Sequence, residues 1–170
     1  TGGAFTDDEY IWMKDYLQLE GLAYKLVPIK TSMKDRSPFE MGRIDPDKMY
    51  QNIQKFNWRN INDGKIYLDE QTKRNSISMR NNLIRLAETF AIEGDTIKAI
   101  EILDLSREKM PIKDFGYYNL SIGYPELYYQ LKQPKKARET AEILIQIFKE
   151  QMVWYGEFPA DQLDWISDEL

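Results

Sequence analysis

The most regular stretch of the chain, residues 81–111, consists of two apolar-periodic segments that meet at Gly94. Small side chains stand at Ala87, Ala99 and Ser106, where a helix face usually carries larger residues. If both segments are helical, these small residues share a face with the apolar positions of their helix. Small residues on facing helices let two backbones approach closely, so the stretch predicts a tight helix hairpin.

The predicted hairpin has the spacing of a tetratricopeptide repeat. The matching positions are Leu83, Leu86, Ala87, Phe90, Ala99, Leu103 and Pro111. A second, degenerate copy places Ala137 where the first has Ala99, and Pro125 where a small residue is expected. Because proline disrupts a helix interior, the first helix of this copy is expected to begin late or to be kinked. Two repeats are fewer than the roughly three that an independent solenoid needs, so the N-terminal part is expected to cap them.

The sequence therefore predicts a mainly all-α fold of tetratricopeptide-like antiparallel helix pairs, with an irregular N-terminal cap, in one compact domain. Residues 1–74 are assigned to the cap. Residues 75–170 are assigned to the helical repeats and an aromatic C-terminal tail.

Within the cap, Thr6 and Glu9 form a capping box that predicts a helix ending at Glu20. Asp45 followed by proline predicts the start of a second helix, which runs to about Phe56. Residues 22–30 and 65–70 have strand character and could pair as a small two-stranded β ribbon.

Composition argues against several classes of function. The chain has no histidine and no cysteine, which removes the commonest general base and the usual zinc ligands. Its net charge is −5 with scattered basic residues, so nucleic acid is not an expected partner. No apolar run approaches the roughly 20 residues of a membrane span. Paired carboxylates remain as candidates for catalysis. The three groups stand at predicted helix starts or turns, where capping explains them: Asp7, Asp8 and Glu9; Asp45 and Asp47; Asp69 and Glu70. We therefore expect that the chain is not an enzyme and that it needs neither a cofactor nor a metal ion.

Four stretches together carry a resemblance to a known family: "LEGLAYKLVPIKT", "MYQNIQKFNWRNINDGKIYLDE", "MRNNLIRLAETFAIEGDTIKAIEILD" and "EKMP". They resemble the C-terminal soluble region of large bacterial membrane proteins classed with protein O-mannosyltransferase-like glycosyltransferases. In that family a many-spanning N-terminal part precedes a tetratricopeptide-like tail. The resemblance implies a soluble domain attached to a membrane parent, on the periplasmic face, with any glycosyl transfer performed by the parent's membrane part. It carries over no catalytic residue.

The first helix of each tetratricopeptide pair is expected to line a groove. The candidate groove residues are Asn81, Arg85, Glu88, Asn119, Glu126 and Tyr129, with Ile92 and Ile122 on the same faces. We hypothesise that this groove holds an extended peptide, a protein segment or a loop of the parent protein through side-chain bonds to backbone groups. The alternative is an ordinary solvated helix face.

Aromatic residues crowd two further stretches. They are Tyr117, Tyr118, Tyr124, Tyr128 and Tyr129 in the first, and Trp154, Tyr155, Phe158 and Trp165 in the second. Such rings pack in cores and hairpins, which is the favoured interpretation, but they can also stack on sugars. The sequence therefore predicts a non-catalytic protein-interaction or scaffolding module, with a carbohydrate-binding accessory module as the alternative.

Overall fold

The computed structural model describes residues 13–32, 41–59 and 61–159. It is mainly helical with a small sheet near the N-terminus, which confirms the predicted fold class. The chain divides into two compact units, Thr1–Gly123 and Tyr124–Leu170. The boundary predicted after residue 74 lies inside a helix that spans Glu70–Glu93.

Within the described residues the sheet has three short strands, β1 (Leu17–Leu19), β2 (Tyr24–Leu26) and β3 (Arg43–Ile44). The central strand β1 pairs antiparallel with β2 and parallel with β3. Two predictions were wrong here. The helix predicted to end at Glu20 is a strand over its last turn, and its first residues lie outside the described part. Residues 65–70 do not pair with β2, which lies against β1 instead.

Two glycines make this small sheet possible. Gly21 has a φ of +114° in the turn between β1 and β2, and a Cβ there would lie 3.0 Å from Cζ of Phe56. Gly42 has a φ of +75° just before β3, and a Cβ there would lie 2.9 Å from the ring of Tyr24. Because side chains are disfavoured at such angles and the space is filled, both positions require glycine.

Six α-helices follow in the described part of the chain. They are α1 (Pro46–Ile53), α2 (Glu70–Glu93), α3 (Thr96–Lys109), α4 (Ile112–Phe115), α5 (Gly123–Gln130) and α6 (Pro134–Tyr155). The Asp45 cap and Pro46 start of α1 are as predicted, with the Lys48 amide donating to the Asp45 carboxylate. The helix predicted from about Asn75 begins earlier, because Asp69 caps it.

The pair α2 and α3 is the helix hairpin that the sequence predicts. Every predicted face residue is at most 1% exposed: Leu83, Leu86, Ala87, Phe90, Ala99, Leu103 and Ser106. Gly94 ends α2 with a φ of +86°, and Asp95 caps α3. The small residues Ala87 and Ala99 are fully buried in this hairpin, in agreement with close approach of its two backbones.

The second unit contains most of α5 and all of α6. A 3-10 turn at Tyr118–Ser121 precedes α5, so the late start predicted from Pro125 is confirmed. Lys132 turns the chain between the two helices with a φ of 58°. The buried positions of α6 recur at a spacing of three or four residues, as on one helix face: Ala137, Thr140, Leu144 and Ile147.

The helix caps predict an acid dependence of stability. The Thr72 amide bonds to Asp69 at 2.8 Å and the Lys98 amide to Asp95 at 3.1 Å, and these bonds hold the pKa of each carboxyl below its usual 3.8. A carboxyl whose pKa is lower in the folded state stabilises the fold above that range and loses this contribution as the pH falls through the folded pKa. We expect the double variant Asp69→Asn and Asp95→Asn to lose less stability than the wild type when the pH falls from about 6 to about 3.

Urea unfolding followed by circular dichroism at both pH values measures this difference. Asparagine keeps the capping oxygen but does not titrate, so the cap itself is retained in the variant. An identical pH dependence in the two proteins would show that these two caps do not contribute to acid sensitivity.

Candidate functional site

One predicted groove residue, Arg85 of α2, binds backbone of this same chain. Its guanidinium donates one hydrogen bond to the carbonyl oxygen of Met41 and one to that of Gly42, each at 2.8 Å. Both carbonyls belong to the segment that leads into β3. The planar fork of arginine suits two adjacent acceptors. The α2 face predicted to hold a peptide thus already holds a piece of the cap.

The other candidates on α2 differ in exposure. Asn81 is half-buried, Glu88 is exposed, and Ile92 is 87% exposed near the C-terminal end of the helix. The spacing from Arg85 to Glu88 and Ile92 places all three on one helix face. On this face, the Arg85 side chain is bound to the cap, whereas the Ile92 side chain is exposed to solvent.

The remaining candidates lie beyond α2. Glu126 and Tyr129 are exposed residues of α5, and Ile122, just before α5, is also exposed. The side chain of Asn119 lies outside the described part of the structure. That the six residues line one groove stays a prediction.

A polar cluster that the sequence analysis missed joins α1 to α3. The Tyr50 hydroxyl donates to Glu101 at 2.7 Å, and the Gln54 amide donates to the same carboxylate at 2.9 Å. The hydrogen bond to Glu101 raises the pKa of the Tyr50 hydroxyl above its usual 10. The ammonium nitrogen of Lys98 lies 3.1 Å from a carboxylate oxygen of Asp95 and 5.6 Å from the centroid of the Tyr50 ring. The cluster therefore ties the cap to the hairpin through the side chains of Tyr50, Gln54 and Glu101.

A second missed residue is Arg80, which is only 1% exposed. Its guanidinium donates to the carbonyls of Gly116 at 2.8 Å, Met110 at 3.2 Å and Pro111 at 3.3 Å. The ring of Phe115 lies 5.6 Å from the guanidinium carbon. Arg80 therefore fixes the connection around α4, and its role is structural.

The tyrosine-rich stretch is internal in part, and Tyr129 is 51% exposed. Tyr124 and Tyr128 are fully buried. Tyr117 donates from its hydroxyl to Glu70 at 2.8 Å, which raises the pKa of that tyrosine. These positions agree with the packing interpretation of the aromatic residues.

The second aromatic stretch is more open. Trp154, near the end of α6, is 50% exposed. The centroid of its ring lies 5.1 Å from that of Tyr155 and 4.6 Å from that of Phe158. Trp165 lies outside the described residues. If any of these rings meets a sugar, Trp154 is the best placed among those described.

No group of three or more acidic side chains in residues 13–32, 41–59 and 61–159 is placed to hold a metal ion. Over the same ranges, none of the helices combines the length and apolar character that a membrane crossing requires.

Comparison with known protein families gives a match at the N-terminal end of the chain. Residues 1–48 match the family model described as TMEM260-associated domain 2. The matched stretch includes all three described strands and the first residues of α1, and it leaves the α2–α3 hairpin outside. No curated protein and no solved structure gives a significant match.

Proposed function

We propose that this chain is a non-catalytic protein-interaction or scaffolding module whose α2 face receives a segment of another part of its parent protein. The parent is proposed to be a membrane glycosyltransferase-like protein, with this module on the periplasmic face. The observation that carries the proposal is the pair of hydrogen bonds from Arg85 to the carbonyls of Met41 and Gly42.

This contact supports the proposal because it is a form of backbone recognition. An arginine that binds two consecutive carbonyls selects for a chain conformation and not for a side chain. The next residues along the same face, Glu88 and Ile92, are exposed. An arriving segment could therefore continue along α2 beyond the cap and bury the Ile92 side chain.

Three similarities to known proteins support the proposed parent protein and the proposed role of the module. The match to TMEM260-associated domain 2 supports the assignment of the N-terminal cap to an associated domain. The resemblance to tails of O-mannosyltransferase-like membrane proteins supports attachment to such a protein. The tetratricopeptide-like spacing of the hairpin supports a role in holding peptide segments, since helix pairs of this kind present such faces.

The test measures binding of the module to its parent's membrane region. That region is produced without this chain in detergent micelles, and the fluorescently labelled chain is titrated with it. We expect saturable binding that the substitution Ile92→Asp weakens by at least about tenfold, because burial of an isoleucine contributes roughly 1.5–3 kcal/mol. Ile145→Asp on α6 is the matched control, since Ile145 is also exposed.

Three outcomes would contradict the proposal. The first is an absence of saturable binding. The second is an equal loss of affinity in both variants, which would show that the α2 face is not the contact. The third is release of sugar from a lipid-linked donor by the isolated chain. A change of tryptophan fluorescence on titration with mannose oligosaccharides, abolished by Trp154→Ala, would favour the carbohydrate-binding alternative.

A further inference from the structure

A second apolar stripe runs along α6, beside the face that is buried. Ile145 is 52% exposed and Met152 is 74% exposed, while the other members of the stripe are partly buried: Ala141, Phe148 and Tyr155. These residues are distinct from the buried positions of α6, which are Ala137, Thr140, Leu144 and Ile147. The stripe is therefore an apolar surface that the described part of the chain leaves partly open.

The spacing of the stripe is that of a seam between paired helices. Its members follow one another at alternating steps of four and three residues, which keeps their side chains along one line of the helix. Ile145 and Met152 occupy the a positions of two heptads. The d positions are Ala141, Phe148 and Tyr155. Because α6 is already folded, a second helix could pack on this line without the cost of forming a new helix here.

The charged residues beside the stripe indicate which helix fits. On one side the e positions are Glu142 and Lys149, which are exposed and form no ion pair within the described ranges of the chain. On the other side the g positions are Leu144 and Gln151, which carry no charge.

The placement of these charges makes the stripe complementary to itself. In an antiparallel pair of helices the e positions of one helix lie beside the e positions of the other. Glu142 and Lys149 are one heptad apart, so an identical antiparallel helix brings Glu142 of each copy beside Lys149 of the other. A parallel copy would bring both residues beside the uncharged g positions. Charge complementarity therefore favours a second copy in the antiparallel orientation.

We infer that two copies of this chain associate through α6, as an antiparallel pair of helices related by a twofold axis. In this pair Ile145 of one copy packs against Phe148 of the other, and two ion pairs between Glu142 and Lys149 flank the seam. The same surface is used on both copies, so the contact closes on itself and gives a dimer, not a filament. This surface is distinct from the α2 face of the proposed function, and either can fail without the other.

Sedimentation equilibrium of the full chain measures the dimer at concentrations from about one micromolar to about one millimolar, because a seam of two heptads is a small interface and small interfaces are weak. We expect Met152→Asp to weaken dimerisation at least about tenfold, since it replaces an apolar contact in each copy by a charge. Val153→Asp is the matched control and should leave dimerisation unchanged, because Val153 is 69% exposed on the same helix and lies outside the stripe. Ile145→Asp should also weaken the dimer and leave binding at the α2 face unchanged, which distinguishes the two proposals.

An exchange of charges tests the orientation of the helices. Glu142→Lys places like charges beside each other at both flanks of the antiparallel pair, so dimerisation should weaken at least about threefold. The further substitution Lys149→Glu makes the two charges opposite again, at the net charge of the wild type, and should restore the wild-type affinity. The loss in Glu142→Lys should become smaller at about 1 M salt, because salt screens exposed charges.

Three results would overturn the inference. Equal losses in Met152→Asp and Val153→Asp would place the contact outside the stripe. A double variant that dimerises no better than Glu142→Lys would exclude the antiparallel orientation. A wild type that is monomeric throughout the concentration range would exclude a second copy as the partner.

In the case of a monomer, an introduced thiol identifies what covers the stripe instead. The chain has no cysteine, so Ile145→Cys carries a single thiol whose reaction rate with a maleimide reports its exposure. A slow reaction in the isolated monomer would assign the stripe to another segment of the same chain. Protection only after addition of the parent's membrane region would assign it to the parent.

Discussion

Replacing Phe90 with alanine is expected to lower the free energy of unfolding by about 3–5 kcal/mol, the usual cost of deleting a fully buried phenylalanine ring. Phe90 is 1% exposed and lies where α1 meets the hairpin. The Tyr50 ring meets it edge-on at 5.7 Å with an interplanar angle of 88°, and the Lys98 ammonium lies 5.0 Å from its centroid. The substitution therefore removes core packing and two contacts that join separate elements.

Urea unfolding followed by circular dichroism measures this loss. Ile92→Ala is the matched control, because Ile92 stands on the same helix and is 87% exposed. Its replacement should change the free energy of unfolding by no more than about 0.5 kcal/mol. Comparable losses in the two variants would mean that Phe90 is not the packing centre that its burial indicates.

The hairpin could be predicted from the sequence because its determinants are local. Apolar and small residues recur at helical spacing on both sides of Gly94, and a helix face is defined by residues three or four apart. Asp95 and Gly94 mark the turn with their own conformational preferences. Each of these signals lies within one or two turns of the residue that it places, so no distant partner is needed.

The cap was harder to predict because distant residues decide it. Residues 17–19 follow a good helix start, yet they form the central strand, since β2 and β3 supply backbone partners on both edges. One of those partners, β3, begins 24 residues after β1 ends. The register of such pairings depends on tertiary contacts, which override local propensity.

The candidate site shows the same difference between local and distant determinants. Helix periodicity groups Arg85 with Glu88 and Ile92 on one face of α2, but the acceptors of Arg85 belong to residues more than 40 positions earlier in the chain. The strand predicted over residues 65–70 is not formed, and Glu70 is already the first residue of α2. Arg80 gave no signal at all, because an arginine in a helix is normally exposed.

Replacement of Arg80 is the second substitution for which we expect a large fall in the free energy of unfolding. Replacement by methionine keeps a long side chain but removes the hydrogen bonds to the carbonyls of Met110, Pro111 and Gly116. We expect the free energy of unfolding to fall by about 2–3 kcal/mol, because hydrogen bonds that involve a charged group contribute roughly 1.5–3 kcal/mol and the carbonyls lose their donor. The amides of α4 and the following residues should also exchange faster with solvent.

Hydrogen exchange tells this effect apart from a general loss of packing, since α4 and Gly116 are held by Arg80 from 30 to 36 residues away. Arg74→Met, at an exposed position of the same helix, is the control and should leave both measurements unchanged. Arg80→Lys keeps the positive charge but lacks the planar fork of the guanidinium. Its free energy of unfolding should therefore lie between those of Arg80→Met and the wild type. A methionine variant as stable as the wild type would mean that desolvation of the guanidinium costs as much as its bonds contribute.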